Sequence, residues 1–209
     1  PLDWNGHWHI DFDALRQQIQ TTTRAILFVH PNNPTGSYLK QAELEELAKI
    51  CRRHDLALIL DEVFFDYPLE KSPATVSWPD GESLGMLTFV MNGLSKISAL
   101  PQMKLAWIVA NGPQSLRQQA MERLELAHDT FLSVSTPIQN AAHSFLEFRK
   151  EMQKQIGRRL RANLEHLSSC LQGSAAQPLP VEGGWYVVVR VPAVISEESW
   201  VLGLLEEEK

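Results

Sequence analysis

Ala25-Ile26-Leu27-Phe28-Val29 runs into His30-Pro31-Asn32-Asn33-Pro34-Thr35-Gly36, and Ala57-Leu58-Ile59-Leu60 runs into Asp61-Glu62. Each apolar run is short and closed by polar or turn-forming residues, the pattern of a strand buried on both faces. Two prolines and a glycine exclude regular structure from 30–36 and set a rigid turn. Between the runs, Leu39 to His54 has helical periodicity. Leu44, Leu47, Ala48 and Cys51 share one face, and Glu43, Glu45, Glu46, Lys49 and Arg52 lie largely on the other. Strand, turn, helix, strand is a βαβ unit. It predicts an α/β fold: a mainly parallel sheet, right-handed crossovers and flanking helices.

The same kind of ending recurs downstream. Met86 to Met91 is a third apolar run, and it stops at Asn92-Gly93-Leu94-Ser95-Lys96. Leu105 to Val109 follows as a fourth, after Ile97 to Lys104. Open parallel sheets bind ligands outside the carboxyl ends of their strands. The 30–36 turn, Asp61 and Lys96 all stand at such ends, so they predict one shared site. An amine at the mouth of a buried strand is partly withdrawn from water, which favours its neutral form. Only a neutral amine attacks an aldehyde, so Lys96 is a candidate Schiff-base former. A solvated loop lysine is the plain alternative.

Asp11 to Ile19 reads as a short helix, with Asp11 or Asp13 near its start. After Val109 the pattern is helical: Gln114 to His128, Thr136 to Phe148 with Pro137 in the first turn, and Lys150 to Leu171. Gly157 marks a candidate bend in the last of these. Gln172 to Pro180 reads as a linker, Trp185 to Val191 as a strand and Glu197 to Glu207 as a helix. A boundary is expected near Lys150, between a large domain, 1–149, and part of a smaller α+β domain, 150–209.

Of the 209 residues, 44% are hydrophobic and 21% charged, ordinary for a globular chain. A net charge of −6 with no basic block argues against nucleic-acid binding. No apolar run reaches the length of a membrane span. Cys51 and Cys170 lack the spacing of a redox or metal motif, so a reduced cytoplasmic setting without a metal site is expected. The chain opens on Pro1 and closes on Glu206-Glu207-Glu208-Lys209 straight after an amphipathic pattern. Both ends read as cut from a longer protein.

Asn33-Pro34-Thr35-Gly36, Asp61-Glu62-Val63, Ser95-Lys96, Lys104 and Gly183-Gly184-Trp185-Tyr186, in this order and at these spacings, resemble the class I/II aminotransferases. These are pyridoxal 5'-phosphate (PLP) enzymes of the aspartate-aminotransferase fold, fold type I. The similarity runs along nearly the whole chain. It implies PLP as cofactor, an amino acid and a 2-oxo acid as substrates, and a homodimer. Lys96 stands at the place of the Schiff-base lysine, which also moves the proton between substrate and cofactor. Asp61 matches the partner of the pyridine nitrogen, which keeps the ring an electron acceptor. Asn33 matches the donor to the ring oxygen. Ser95 and Lys104 match phosphate contacts, although a plain turn hydroxyl accounts for Ser95 as well. Trp185 and Tyr186 are expected to pack the small domain, with a substrate-side role as the alternative.

Two positions depart from the pattern. Phe64 occupies the cofactor-contact position where the family usually has tyrosine, and it can only pack. Tyr67 is near, but its spacing does not assign it to the same face. Lys104 stands where arginine is usual; it keeps the charge and loses the bidentate fork. Nothing before Ala25 resembles the family's phosphate loop and ring-stacking aromatic. The only arginine after Arg161 is Arg190, so the carboxylate-gripping arginine has no evident match. The chain therefore reads as most of a large domain and the start of a small one, inactive in isolation. Two other readings use the same residues. One is a PLP-dependent lyase or β-eliminating enzyme, because reaction choice depends on which Cα bond stands perpendicular to the ring. The other is a non-catalytic PLP-binding regulator domain.

Overall fold

The computed structural model describes residues 1–70, 75–76, 81–131 and 133–207. A hairpin opens the chain, β1 (Leu2–Trp4) against β2 (Trp8–Ile10), and α1 (Phe12–Gln18) follows. Asp11 caps α1, its carboxylate accepting from the Asp13 and Ala14 N–H groups. The central sheet then builds in chain order from β3 (Ala25–Val29), β4 (Ala57–Asp61), β5 (Thr88–Gly93) and β6 (Ala106–Asn111), with α2 (Gln41–His54) crossing between β3 and β4. β3, β4 and β5 are parallel, as the βαβ pattern requires, and β6 is antiparallel to β5. The β5–β6 connection is used up in the one-turn helix α3 (Leu94–Ile97) and a 3-10 turn, Pro101–Met103. Neither returns along the sheet, so β6 starts where β5 stops.

β5 begins at Thr88, not Met86, and continues through Asn92 to Gly93. The Met86 N–H is held in a turn by the Gly81 carbonyl at 3.0 Å. At the other end, a Cβ on Gly93 would stand 2.9 Å from the Leu105 oxygen, so glycine lets the last rung close.

Register sorts the side chains onto two faces. Ile26, Leu58 and Thr88 form one row, and Phe28, Leu60, Val90 and Val109 the next but one. The apolar members pack in one cluster with Leu44, Leu47, Ala48, Ile50 and Cys51 of α2. The opposite face carries Leu27, Asp61, Met91 and Ile108, and there Leu27 is 59% and Ile108 46% exposed. Burial on both faces, expected from the apolar runs, therefore holds only on the α2 side. Glu43 in the first turn of α2 accepts from the Lys40 N–H at 2.9 Å and the Ile10 N–H at 3.0 Å, tying the hairpin to the sheet. Asp55, left-handed at φ 52°, ends α2.

The C-terminal half contains α4 (Gln114–Phe131), α5 (Thr136–Glu147), α6 (Arg149–Cys170), β7 (Gln177–Pro178), β8 (Val189–Arg190) and α7 (Glu197–Glu207). Pro137 lies in the first turn of α5, and the helix break falls at Phe148. α6 runs unbroken through Gly157. Two expectations are corrected here. The stretch 172–180 is more than a linker, because β7 lies inside it and pairs with β8. The strand expected over Trp185–Val191 shrinks to Val189–Arg190. The residues just before it are bonded elsewhere and lead it away: the Glu182 and Gly183 N–H groups donate to the Gly36 carbonyl at 3.2 and 3.0 Å, and the Gly184 N–H to the Tyr67 carbonyl at 2.9 Å.

His30 sits fully buried beneath the turn after β3. Its Nδ1 accepts from the Leu39 N–H at 2.8 Å, so the ring proton is on Nε2, which donates to the Val76 carbonyl at 2.6 Å. The rings of Tyr38 and Phe65 close over it at 5.4 and 5.1 Å. Burial, reinforced by the Lys40 charge and opposed by the Val76 bond and Glu182, lowers its pKa from 6.5 to about 4. Between these values the unfolded chain takes up a proton that the folded chain refuses. Stability therefore rises with pH across this window and is lost as pH falls from 6.5 towards 4. The expected loss is about 3 kcal/mol at pH 4. Urea unfolding over this pH range should give a shallower dependence for His30→Gln than for the natural chain.

Candidate active site

The ends of β3, β4 and β5 and the start of β6 meet at one edge of the sheet. Val29 lies opposite Asp61, Asp61 opposite Met91, and Gly93 opposite Ala106. Adjacent strands are about 4.8 Å apart, so the residues that follow these ends share one small region. Asn92 knits two of the ends together: its Nδ2 donates to the Glu62 carbonyl at 3.1 Å and its Oδ1 accepts from the Gly93 N–H at 2.7 Å.

Lys96 lies in α3, half-buried. Its Nζ stands 5.6 Å from the centre of the Phe64 ring and 5.2 Å from that of Trp185. α3 is fastened by side chains from elsewhere. The Tyr67 hydroxyl donates to the Lys96 carbonyl, Gln153 Nε2 donates to the Ile97 carbonyl at 3.0 Å, and the neighbouring Ser98 hydroxyl donates to the Phe145 carbonyl at 3.0 Å. Asp61 ends β4 on the face away from α2. Its Oδ1 accepts from the Val63 N–H at 3.1 Å, and Oδ2 has no partner among the described residues.

The turn after β3 is wired internally by Asn32, whose Oδ1 accepts from the Thr35 hydroxyl at 3.0 Å and whose carbonyl accepts from the Gly36 N–H at 2.8 Å. This leaves the Asn33 amide exposed and unbonded among the described residues. Gly36 has φ 70°, and a Cβ there would come within 2.3 Å of Val181 Cγ2. Only glycine meets both demands. The Ser95 hydroxyl and the exposed Lys104 amine likewise have no hydrogen-bond partner among the described residues.

Phe64 is 5% exposed and packs edge-on against Trp185 at 5.4 Å and Tyr186 at 5.8 Å. Trp185 also meets Tyr67 edge-on at 5.2 Å. Its indole N–H is buried without a hydrogen-bond partner among the described residues. Trp185, expected to pack the small domain, thus forms a wall beside the Lys96 amine. Tyr67, whose spacing leaves its face unassigned, turns its hydroxyl to the Lys96 carbonyl, and Glu182 is a residue the sequence does not single out. Glu182 pairs with Lys40 Nζ and accepts from the Tyr38 N–H at 2.7 Å. The available signal was Gly183-Gly184: paired glycines allow close backbone approach.

An amine, a carboxylate oxygen, an amide, a hydroxyl and an ammonium thus stand at one sheet edge without hydrogen-bond partners among the described residues, the amine beside an aromatic wall. Half-buried polar groups such as Lys96, Asp61 and Ser95 are ordinarily paired; Asn33 and Lys104 are exposed. This set matches a ligand with an aldehyde, a protonated ring nitrogen, a ring oxygen and a phosphate, so the residues present fit PLP. Two concavities lie elsewhere. A 510 Å³ cleft along the free edge of β3 has no titratable side chain in its lining, and a 610 Å³ groove between β6 and α4 carries Glu125, His128 and Asp129 but no amine.

The chain belongs to the family described as aminotransferase class I and II, whose profile matches residues 1–209. It is 32% identical over 148 residues to the glutamate-pyruvate aminotransferase AlaA of Escherichia coli (strain K12), covering 69% of this chain and 35% of that protein. Among solved structures it resembles an aminotransferase from Escherichia coli, with a TM-score of 0.77, 25% identity, and coverage of 95% of this chain and 50% of that one. N-succinyldiaminopimelate aminotransferase from Mycobacterium tuberculosis shares the fold, with a TM-score of 0.78, 22% identity, and coverage of 100% and 53%. The chain spans about a third to a half of the length of these relatives.

The contact that brings Trp185 to Lys96 has little room to spare. A Cβ on Gly183 would stand 2.5 Å from Tyr38 Cε2 and 2.6 Å from its hydroxyl. Gly183→Ala should destabilise the fold by about 1–3 kcal/mol through overpacking, measured as a lower urea midpoint with unchanged slope.

Proposed function

We propose that the protein is a PLP-dependent aminotransferase that moves an amino group between an amino acid and a 2-oxo acid. The observation that supports this best is that Lys96, Asp61 Oδ2, Asn33, Ser95 and Lys104, without hydrogen-bond partners among the described residues, all follow strand ends that the register places side by side. PLP, when bound, supplies the aldehyde that takes the amine and a ring that accepts electrons from the substrate Cα. Lys96 Nζ would be the amine that takes the aldehyde and the base that moves the proton at the substrate Cα. Asp61 Oδ2 would hold a proton at the ring nitrogen. Asn33 would donate to the ring oxygen, and Ser95 and Lys104 would hold the phosphate. Phe64, with no hydroxyl, excludes water from the Lys96 amine. Glutamate and pyruvate are the substrates to try first, since they name the relative AlaA.

The large domain is taken as 1–149 and the small as 150–209, a division supported by the helix break at Phe148. Among the described residues no helix is long and apolar enough to cross a membrane. We further propose a homodimer working in the cytoplasm, as family membership suggests.

In the full-length protein, Lys96→Ala should abolish transamination, and borohydride should fix PLP to the peptide containing Lys96. Label on another lysine would overturn the assignment. The 209-residue chain alone should bind PLP loosely, because Lys104 and Ser95 share the phosphate charge with few N–H groups. It should also show no transamination half-reaction. Titration of PLP into this chain, followed by mixing with amino acids, checks both expectations.

A further inference from the structure

We propose that Tyr67 is a positioning residue for Lys96: it ties the Lys96 main chain to the segment that carries Trp185, and so sets where the amine stands. The inference rests on the reading of Lys96 as the lysine that holds PLP.

α3 is a single turn, and a helix leaves its terminal carbonyls without intrahelical partners. The Lys96 carbonyl receives the Ser98 N–H at the helix cap, the Ala99 N–H at a long 3.3 Å and the Tyr67 hydroxyl by a short bond. The next carbonyl, of Ile97, takes Gln153 Nε2 from α6. Two consecutive carbonyls are thus held by side chains of two different segments, Tyr67 from the segment after β4 and Gln153 from α6.

Tyr67 is 2% exposed. Its own carbonyl accepts from the Gly184 N–H at 2.9 Å, and its ring meets Trp185 edge-on at 5.2 Å. The Trp185 ring returns to the Lys96 amine at 5.2 Å. The path from the Lys96 main chain through Tyr67 to Gly184 and Trp185, and back to Lys96 Nζ, is closed. Burial, with the Asp66 charge, pushes the phenol up to about 12, so it remains a donor through the neutral range. A lysine side chain has many rotamers, and on so short a helix its amine is placed by the backbone and the neighbouring wall. Misplacing a reacting group by about 1 Å can slow a reaction about 100-fold.

The test compares Tyr67→Phe with Tyr38→Phe in the full-length protein, prepared free of PLP. Tyr38 is the control: it is also 2% exposed and its hydroxyl donates to a main-chain carbonyl, that of Phe65 at 2.9 Å rather than that of Lys96, while its ring, which the variant keeps, is what packs on Gly183. Both variants keep the ring and its packing. Both should lower the melting temperature by similar amounts. Only Tyr67→Phe should slow the attachment of PLP to Lys96, read from the rise in visible absorbance, by about tenfold, the upper range for one hydrogen bond. It should lower kcat by a similar factor and leave KM for the amino acid within about twofold, as expected when orientation rather than binding is lost. Attachment at the natural rate in Tyr67→Phe, or equal slowing in both variants, overturns the proposal. Borohydride labelling separates the two readings. Natural protein labelled away from Lys96 removes the lysine assignment and this inference with it. Labelling at Lys96 with an unchanged rate in Tyr67→Phe removes this inference alone.

Discussion

The main-chain hydrogen bonds from Glu182 and Gly183 to the single carbonyl of Gly36 join the turn after the first sheet strand to a segment far along the chain. Much of the candidate site depends on that junction. It needs Gly36 with positive φ and no Cβ, and it needs Gly183 flat against the Tyr38 ring. Glu182 reinforces it from the side by pairing with Lys40 and accepting the Tyr38 N–H. Because the main chains are so close, Trp185 is carried past Tyr67 and Phe64 to the Lys96 amine. A ring placed there shields one side of the amine from water.

The turn between β3 and α2 divides its labour between adjacent asparagines. Asn32 spends its hydrogen bonds on Thr35 and Gly36 and so holds the shape. Asn33 is left exposed with its amide uncommitted. His30 supports the same turn from below through Leu39 and Val76. A rigid frame with unsatisfied polar tips is what a binding edge requires: the frame supplies orientation, and the tips lose little of their own bonding when a ligand arrives.

α3 is too short to hold itself. Its position comes from Tyr67 and from Gln153 of α6, with Ser98 anchored to Phe145 at the end of α5. The lysine is therefore placed by residues from the sheet layer and from the later helices together. The departure at Phe64 fits this setting. Its ring is 5% exposed and wedged between Trp185 and Tyr186, and it contributes packing where a hydroxyl would need a partner.

By itself the sequence determined the βαβ core, the run of strands and helices along the chain, and the shared strand-end location of Asn33, Asp61 and Lys96. Those features are local: periodicity, turn residues and strand length encode them over short windows. Only the tertiary structure decided that β6 runs antiparallel, that β5 slides to Thr88–Gly93, and that Trp185 leaves its apparent strand to stand beside Lys96. It also decided that Tyr67, spaced ambiguously from Asp61, spends its hydroxyl on the Lys96 carbonyl. Each of these turns on an approach between segments distant in the chain, permitted by a missing Cβ at Gly93, Gly36 or Gly183 or by an otherwise weakly bonded carbonyl. No pattern within one segment carries that information, because the partner that makes the contact favourable lies outside it.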